Sequence, residues 1–209
     1  MDFIEFNINF PTLKFIERSE LNTDWGKNVL SERGLLLYLF AKTSQSKVIV
    51  ETGTSNGFSS TCFAKAMEDN GFNDGEIHTI DCYAWGENFS SKENADKCIS
   101  INGFKSIIHQ HVGNSLEILP DVLKSLDRKI DLAHIDSEHD YATPKKEFEL
   151  IEPYLNANAY VFFHDTDIKD VSRAVSDILK ERKEQYEKII VPLHSEMTIL
   201  RKKGSFGNK

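Results

Sequence analysis

The strongest constraint on this chain is the alternation of short apolar runs with segments of helical pattern. Strand candidates are Lys47–Thr52, Glu76–Cys82, Ser106–Val112, Ile130–Asp136, Ala159–His164, Tyr186–Val191 and Met197–Arg201. Helix candidates lie between them at Gly57–Asn70, Ser90–Asn102, Ser115–Ser125, Thr143–Tyr154 and Ile168–Glu184, with one more around Leu30–Lys42 before the first strand. Val48-Ile49-Val50 and Tyr160-Val161-Phe162-Phe163 are continuously apolar. A strand of that kind is buried on both faces, as in a parallel sheet covered by helices. The repeated strand–helix–strand order predicts a doubly wound α/β domain with helices on both faces of a mostly parallel, seven-stranded sheet. Only Pro192-Leu193-His194-Ser195-Glu196 separates the last two strands. A parallel crossover needs about a dozen residues or more, so the last strand is expected to run antiparallel.

A chain of 209 residues is one domain by size, with a core that needs no staples. We divide it into a helical extension or cap over 1–46, a ligand-binding domain over 47–203 and a tail over 204–209. The formal charge is −8, which opposes binding to a phosphate backbone and sets nucleic acid aside as a partner. The cysteines, Cys62, Cys82 and Cys98, have no C-x-x-C spacing, which disfavours a disulfide framework and a zinc site and suits a cytoplasmic protein. No apolar stretch approaches the ~18 residues a membrane helix needs, so no membrane association is expected.

The first strand runs into Glu51-Thr52-Gly53-Thr54-Ser55-Asn56-Gly57. This is neither the dinucleotide pattern G-x-G-x-x-G, since Ser55 occupies the middle position, nor a phosphate loop ending in Gly-Lys-Ser/Thr. Gly53 suits a tight turn out of the strand, and Gly57 suits close approach of a ligand to the helix start. An acid at this strand end opposes a pyrophosphate and suits a cation, such as the amino group of an amino-acid moiety. Asp81 ends the second strand and can accept bonds from both hydroxyls of a ribose. Gly113-Asn114-Ser115 comes after the third strand, where it can flank a base.

A second constellation ends the fourth and fifth strands: Asp136-Ser137-Glu138-His139-Asp140-Tyr141 and His164-Asp165-Thr166-Asp167. Ligands of open parallel sheets bind beyond the carboxyl ends of the strands, so both segments should stand beside the glycine loop. Asp136, His139, His164 and Asp165 together offer the carboxylate and imidazole donors that suit Mg²⁺ or Mn²⁺. His134 inside a strand, and His109 and His111 alternating along another, read as structural. Glu138 and Asp140 read as solvated loop charges, and Asp167 as a helix cap.

These residues resemble class I S-adenosylmethionine-dependent methyltransferases, a Rossmann-like fold family, over about Val48 to Arg201. The string Ile135-Asp136-Ser137-Glu138-His139-Asp140-Tyr141 with Phe163-His164-Asp165 is similar to a narrower group of small-molecule O-methyltransferases. That group includes macrocin-type sugar methyltransferases and the cephalosporin-hydroxylase-like family. The resemblance implies a cofactor set of Glu51, Gly53, Thr54, Ser55, Gly57, Ser59, Asp81, Asn114, Ser115 and Asp136. It implies S-adenosylmethionine as cofactor, His139 as the base with Asp136 beside it in catalysis, and Asp136, His164 and Asp165 as the set that would hold Mg²⁺. The sequence departs from the pattern at Ser137, where the group carries glycine, and at His164, where metal-dependent relatives carry an acid. The expected partner is a small hydroxylated acceptor, a sugar or natural product, roofed by Trp85 and Phe89 in the loop Tyr83–Phe89. The segment before the first strand would then be a lid or the face of a homodimer. Two other readings of such a fold are a nicotinamide-dependent oxidoreductase and a non-catalytic cofactor-binding module. The missing dinucleotide pattern opposes the first, and the full set of strand-end acids opposes the second.

Overall fold

The computed structural model describes residue 13 and residues 24–84 and 91–204, with side chains of residues 24–31 left aside. The elements are α1 (Asp24–Thr43), β1 (Val48–Thr52), α2 (Phe58–Asp69), β2 (Glu76–Asp81), α3 (Lys92–Ile101), β3 (Ile108–Val112) and α4 (Ser115–Ser125). They continue with β4 (Ile130–Ile135), α5 (Ala142–Ile151), a 3₁₀ turn at Glu152–Tyr154, β5 (Leu155–Phe163), α6 (Lys169–Glu181), β6 (Tyr186–Val191) and β7 (Met197–Lys202). The strands form one seven-stranded sheet in the order β3-β2-β1-β4-β5-β7-β6. Pairing is parallel from β3 to β5, and β7 runs antiparallel to both β5 and β6. The Rossmann-like α/β sheet and its antiparallel last strand are as the sequence predicts.

Period-two alternation along buried strands feeds two cores. Val48, Val50, Ala133, Ile135, Val161 and Phe163 face one side, against Leu119 and Leu123 of α4, Phe148 and Ile151 of α5, and Val175 and Ile178 of α6. Ile49, Leu132, Phe162 and Ile199 face the other, against Phe63 and Met67 of α2 and Ile99 of α3. The second half of α1 joins this second core through Leu37, Tyr38 and Ala41, and Phe40 meets Tyr160 and Phe162 edge-on. This part of the 1–46 segment therefore covers the sheet.

β5 starts earlier than its apolar run, at Leu155, because Asn156 donates to the Asp131 side chain and the register with β4 shifts between Ile130 and Leu132. His109 and His111 on β3 gather beside His78 of β2, with ring centroids 5.0 and 5.3 Å from it, away from the strand ends. The three cysteines are free. No helix among the described residues is long and apolar enough to cross a membrane.

Register aligns the carboxyl ends of the central strands. Thr52 stands beside Ile80 and Ile135, and Ile135 stands beside Phe163. The next residue on each strand is Gly53, Asp81, Asp136 or His164, so these four lie on one line across the carboxyl edge. The strand order reverses between β1 and β4, which is where an open α/β sheet leaves its ligand crevice.

Candidate functional site

The glycine loop crosses the β4 loop in direct backbone contact. Gly53 has φ +92°, and a Cβ there would stand 2.0 Å from the Asp136 carbonyl oxygen. The loop is pinned by Gly53 N donating to Ile80 O (2.8 Å) and Asp136 N donating to Thr52 O (2.9 Å). Gly57 caps α2 at φ +77°, a left-handed conformation in which a side chain is strained. Ser55 takes φ +49°, and its backbone N–H donates to Asp81 Oδ2 at 2.7 Å. Asp81 Oδ1 accepts from Tyr83 N at 2.6 Å. Two of the roughly four acceptor positions of the Asp81 carboxylate are thus taken by backbone, and about two remain for a ligand diol.

Glu51 lies elsewhere than the edge. It is 0% exposed, and its oxygens accept from Ser59 and Ser60 of α2, Thr79 (2.8 Å) and His134 Nδ1 (2.9 Å). Its alternation with Ile49 turns it under α2, so it organises the loop from inside. Ser59 is spent on this bond, and Thr54 is buried against Thr79, hydroxyl to hydroxyl at 2.6 Å. Asn114 caps α4 by accepting from Leu116 N at 2.9 Å. His134 is a core residue whose Nε2 has no hydrogen-bond partner among the described residues.

Asp136, His139 and Asp165 come together, with one ligand atom from each within 4.8 Å of the others. His139 Nε2 is 3.0 Å from Asp165 Oδ2 and 4.0 Å from Asp136 Oδ1. Asp165 takes a left-handed φ of +53°, uncommon outside glycine and tolerated best by Asn and Asp. His164 Nδ1 lies 2.7 Å from Asp165 Oδ2 and 3.1 Å from Asp136 Oδ1. Its Nε2 lies 2.8 Å from Arg33 Nη1 of α1. The Asp136 carboxylate at 4.0 Å and the Asp165 carboxylate, hydrogen-bonded at 3.0 Å, raise the His139 pKa to about 10, against the opposing effect of burial. Burial opposes the charge on Asp136 and on Asp165, yet the neighbouring histidines hold both carboxyls below their usual range.

For His164, burial lowers the pKa, and the charge of Asp136 with bonds to both aspartates outweighs it, raising it to about 9. The positive charge of Arg33 opposes that rise. A guanidinium only donates, so a hydrogen bond from Arg33 needs the lone pair of Nε2, with a proton on Nδ1 toward the aspartates. Asp136, His139 and Asp165 each bring one donor atom close enough to the others for a shared hard divalent cation.

Two residues of the site carry no motif by which the sequence alone would single them out. Arg33 reaches the site across 131 residues of chain and packs over the Phe58 ring at 5.2 Å. Glu147 of α5 is 0% exposed and accepts from Ser137 Oγ (2.6 Å) and Thr52 Oγ1 (3.0 Å). Its signal is visible in retrospect: Pro144, Glu147, Phe148 and Ile151 form one buried helical stripe with a carboxylate in it. Asp140 caps the start of α5 by accepting from Thr143 N at 2.7 Å. The N-cap of α6 is Ile168, with no side-chain bond, so Asp167 is not its cap. Trp85 and Phe89 lie outside the described residues.

A family model described as a methyltransferase domain matches residues 50–166. Among solved structures, the O-methyltransferase TomG from Streptomyces achromogenes, involved in tomaymycin synthesis and in complex with SAM, superposes with a TM-score of 0.68 at 23% identity, covering 83% of this chain and 80% of that one. The O-methyltransferase from Bacillus cereus in complex with SAH gives 0.67 at 14% identity, covering 82% and 81%. A methyltransferase from Geobacter sulfurreducens gives 0.64 at 22% identity, covering 85% and 86%. A curated relative, the uncharacterized protein y4gI of Sinorhizobium fredii, is 28% identical over 128 residues, 58% of this chain and 13% of that protein. These structural likenesses speak for the fold, and the matched family, spanning the glycine loop through Asp165, speaks for more: the chain belongs to the methyltransferase-domain family.

Proposed function

We propose that this chain transfers a methyl group from S-adenosylmethionine to a hydroxyl oxygen of a small acceptor, a sugar or natural product, assisted by Mg²⁺. The observation that carries this reading is the convergence of Asp136, His139 and Asp165 beside the Gly53 loop, at the point where the strand order reverses. Family membership and the SAM- and SAH-bound structural neighbours support the cofactor. Asp81 suits the ribose diol, with lone pairs left after its two backbone bonds.

S-adenosylmethionine supplies a methyl on a sulfonium sulfur, already electrophilic. A new O–C bond forms as the S–C bond breaks, and the acceptor's hydroxyl proton has to leave. The protein's task is alignment and proton removal. Asp136 and Asp165 would hold Mg²⁺, which would lower the pKa of a coordinated hydroxyl, with the imidazole of His139 beside them left uncoordinated. We assign His139 the acceptor's proton, and the same geometry sets a condition on that role. Facing Asp136 and Asp165, its imidazole keeps its own proton up to about pH 10. It can act as base only when those carboxylates are engaged by another cation or by the acceptor.

The test is methyl transfer from labelled S-adenosylmethionine to a panel of sugars and phenols, with and without Mg²⁺. His139→Ala is expected to keep cofactor affinity and to lose about 10²–10⁴-fold in turnover. Unchanged turnover would refute the role of His139, and cofactor binding with no transfer to any acceptor would favour a binding module.

A further inference from the structure

Glu147 is a carboxylate placed where the core asks for an apolar residue. Burying such a group costs several kcal/mol unless it is fully hydrogen-bonded, and apolar residues of like volume often serve stability as well or better. The hydroxyls around it come from three elements. Thr52, the last residue of β1, and Ser137, which opens the loop after β4, donate to it, and Ser115, which opens α4, faces it. Each is next in sequence to a residue on the carboxyl edge: Gly53, Asp136 and Asn114. Gly53 and Asp136 are the residues whose backbones touch where the two loops cross. Glu147 therefore bonds to the residue on either side of that crossing, from directly beneath it.

We propose that Glu147 is a positioning residue, a clamp that holds the Asp136–His139 loop in register with the glycine loop, and so sets the distance between the acceptor groups and the cofactor. The inference rests on the methyltransferase reading for its purpose, and on the hydrogen bonds for its mechanism. Asp140 anchors the far end of the loop to α5 through Thr143. Ser137 anchors the near end, adjoining Asp136. The groups facing Glu147 are Thr52 of β1, Ser115 of α4, and Ser137 and Glu138 of the loop, of which Glu138 is charged. Burial, helped by Glu138 and opposed by the three hydroxyls, raises its pKa to about 7. The clamp thus changes charge near neutrality while keeping its partners, because hydroxyls can either donate or accept.

The test uses four variants of the full chain and two readouts. Glu147→Met fills the space without hydrogen bonds, Glu147→Gln keeps acceptor and donor in the same shape, and Ser137→Ala and Thr52→Val each remove one hydroxyl. Hydrogen exchange of residues 136–141, read without cofactor, is expected to quicken about five- to tenfold in Glu147→Met and Ser137→Ala and to recover in Glu147→Gln. Calorimetry with S-adenosylhomocysteine is expected to show at least a tenfold loss of affinity in Glu147→Met and near wild-type affinity in Glu147→Gln. Unchanged exchange in both Glu147→Met and Ser137→Ala would overturn the clamp. A wild-type chain that binds no S-adenosylhomocysteine would overturn the methyltransferase reading, while the exchange rates still decide whether the clamp exists.

Discussion

At Gly53 an added methyl would stand 2.0 Å from the Asp136 carbonyl oxygen, whereas at Gly57 it would stand 3.5 Å from Ala95, at ordinary contact distance. Both have positive φ, which costs a non-glycine residue about 1–2 kcal/mol. Gly57→Ala should therefore lose about that much, and Gly53→Ala clearly more, because two backbones must also part. Denaturant titration of the two variants checks the ranking, and equal losses would contradict the loop crossing. Glu147 carries a second residue-scale prediction. Its folded pKa of about 7 stands above the ordinary 4.5. The native state thus binds the extra proton, and stability is fully present below about 4.5 and is lost as pH rises through about 7. Glu147→Gln removes that dependence. Relative to wild type, Glu147→Gln should gain stability between pH 5 and pH 8, by up to a few kcal/mol. A gap that does not change with pH would show that Glu147 ionises like an exposed acid.

Elements were legible wherever burial alone decides them. The apolar runs Val48–Val50 and Tyr160–Phe163 marked two-face-buried strands, and the short Pro192–Glu196 link fixed the direction of β7. The early start of β5 was hidden because Asn156 and Asn158 are polar and enter the strand through a side-chain bond and a register shift. Glu51 reads in sequence as a strand-end acid, yet one residue of alternation turns it inward under α2. Arg33 had no local signal at all, since its meaning comes from a partner 131 residues away. Element packing also makes α1 testable. Leu37 is 0% exposed, and a buried Leu→Ala costs about 2–5 kcal/mol. Leu37→Ala should lower stability by that amount within one cooperative transition. A negligible loss would mean that α1 is a detachable cap rather than sheet cover.

Across the whole molecule, a net charge of −8 reads differently once the strand ends are aligned. Asp81 and Asp136 share one line across the sheet edge, and Asp165 is one residue beyond it. A cation bound there stabilises the native state by mass action, about 2.7 kcal/mol at a hundredfold excess over Kd. Mn²⁺ or Mg²⁺ should raise Tm, and Asp165→Asn, which keeps a residue tolerant of the left-handed φ of +53°, should abolish most of the rise. We propose this edge as the S-adenosylmethionine site, and calorimetric titration of the folded chain with S-adenosylhomocysteine decides it. One site of micromolar affinity, lost in Asp81→Ala, is expected. Absence of binding by the folded wild-type chain, or undiminished binding by Asp81→Ala, would contradict it.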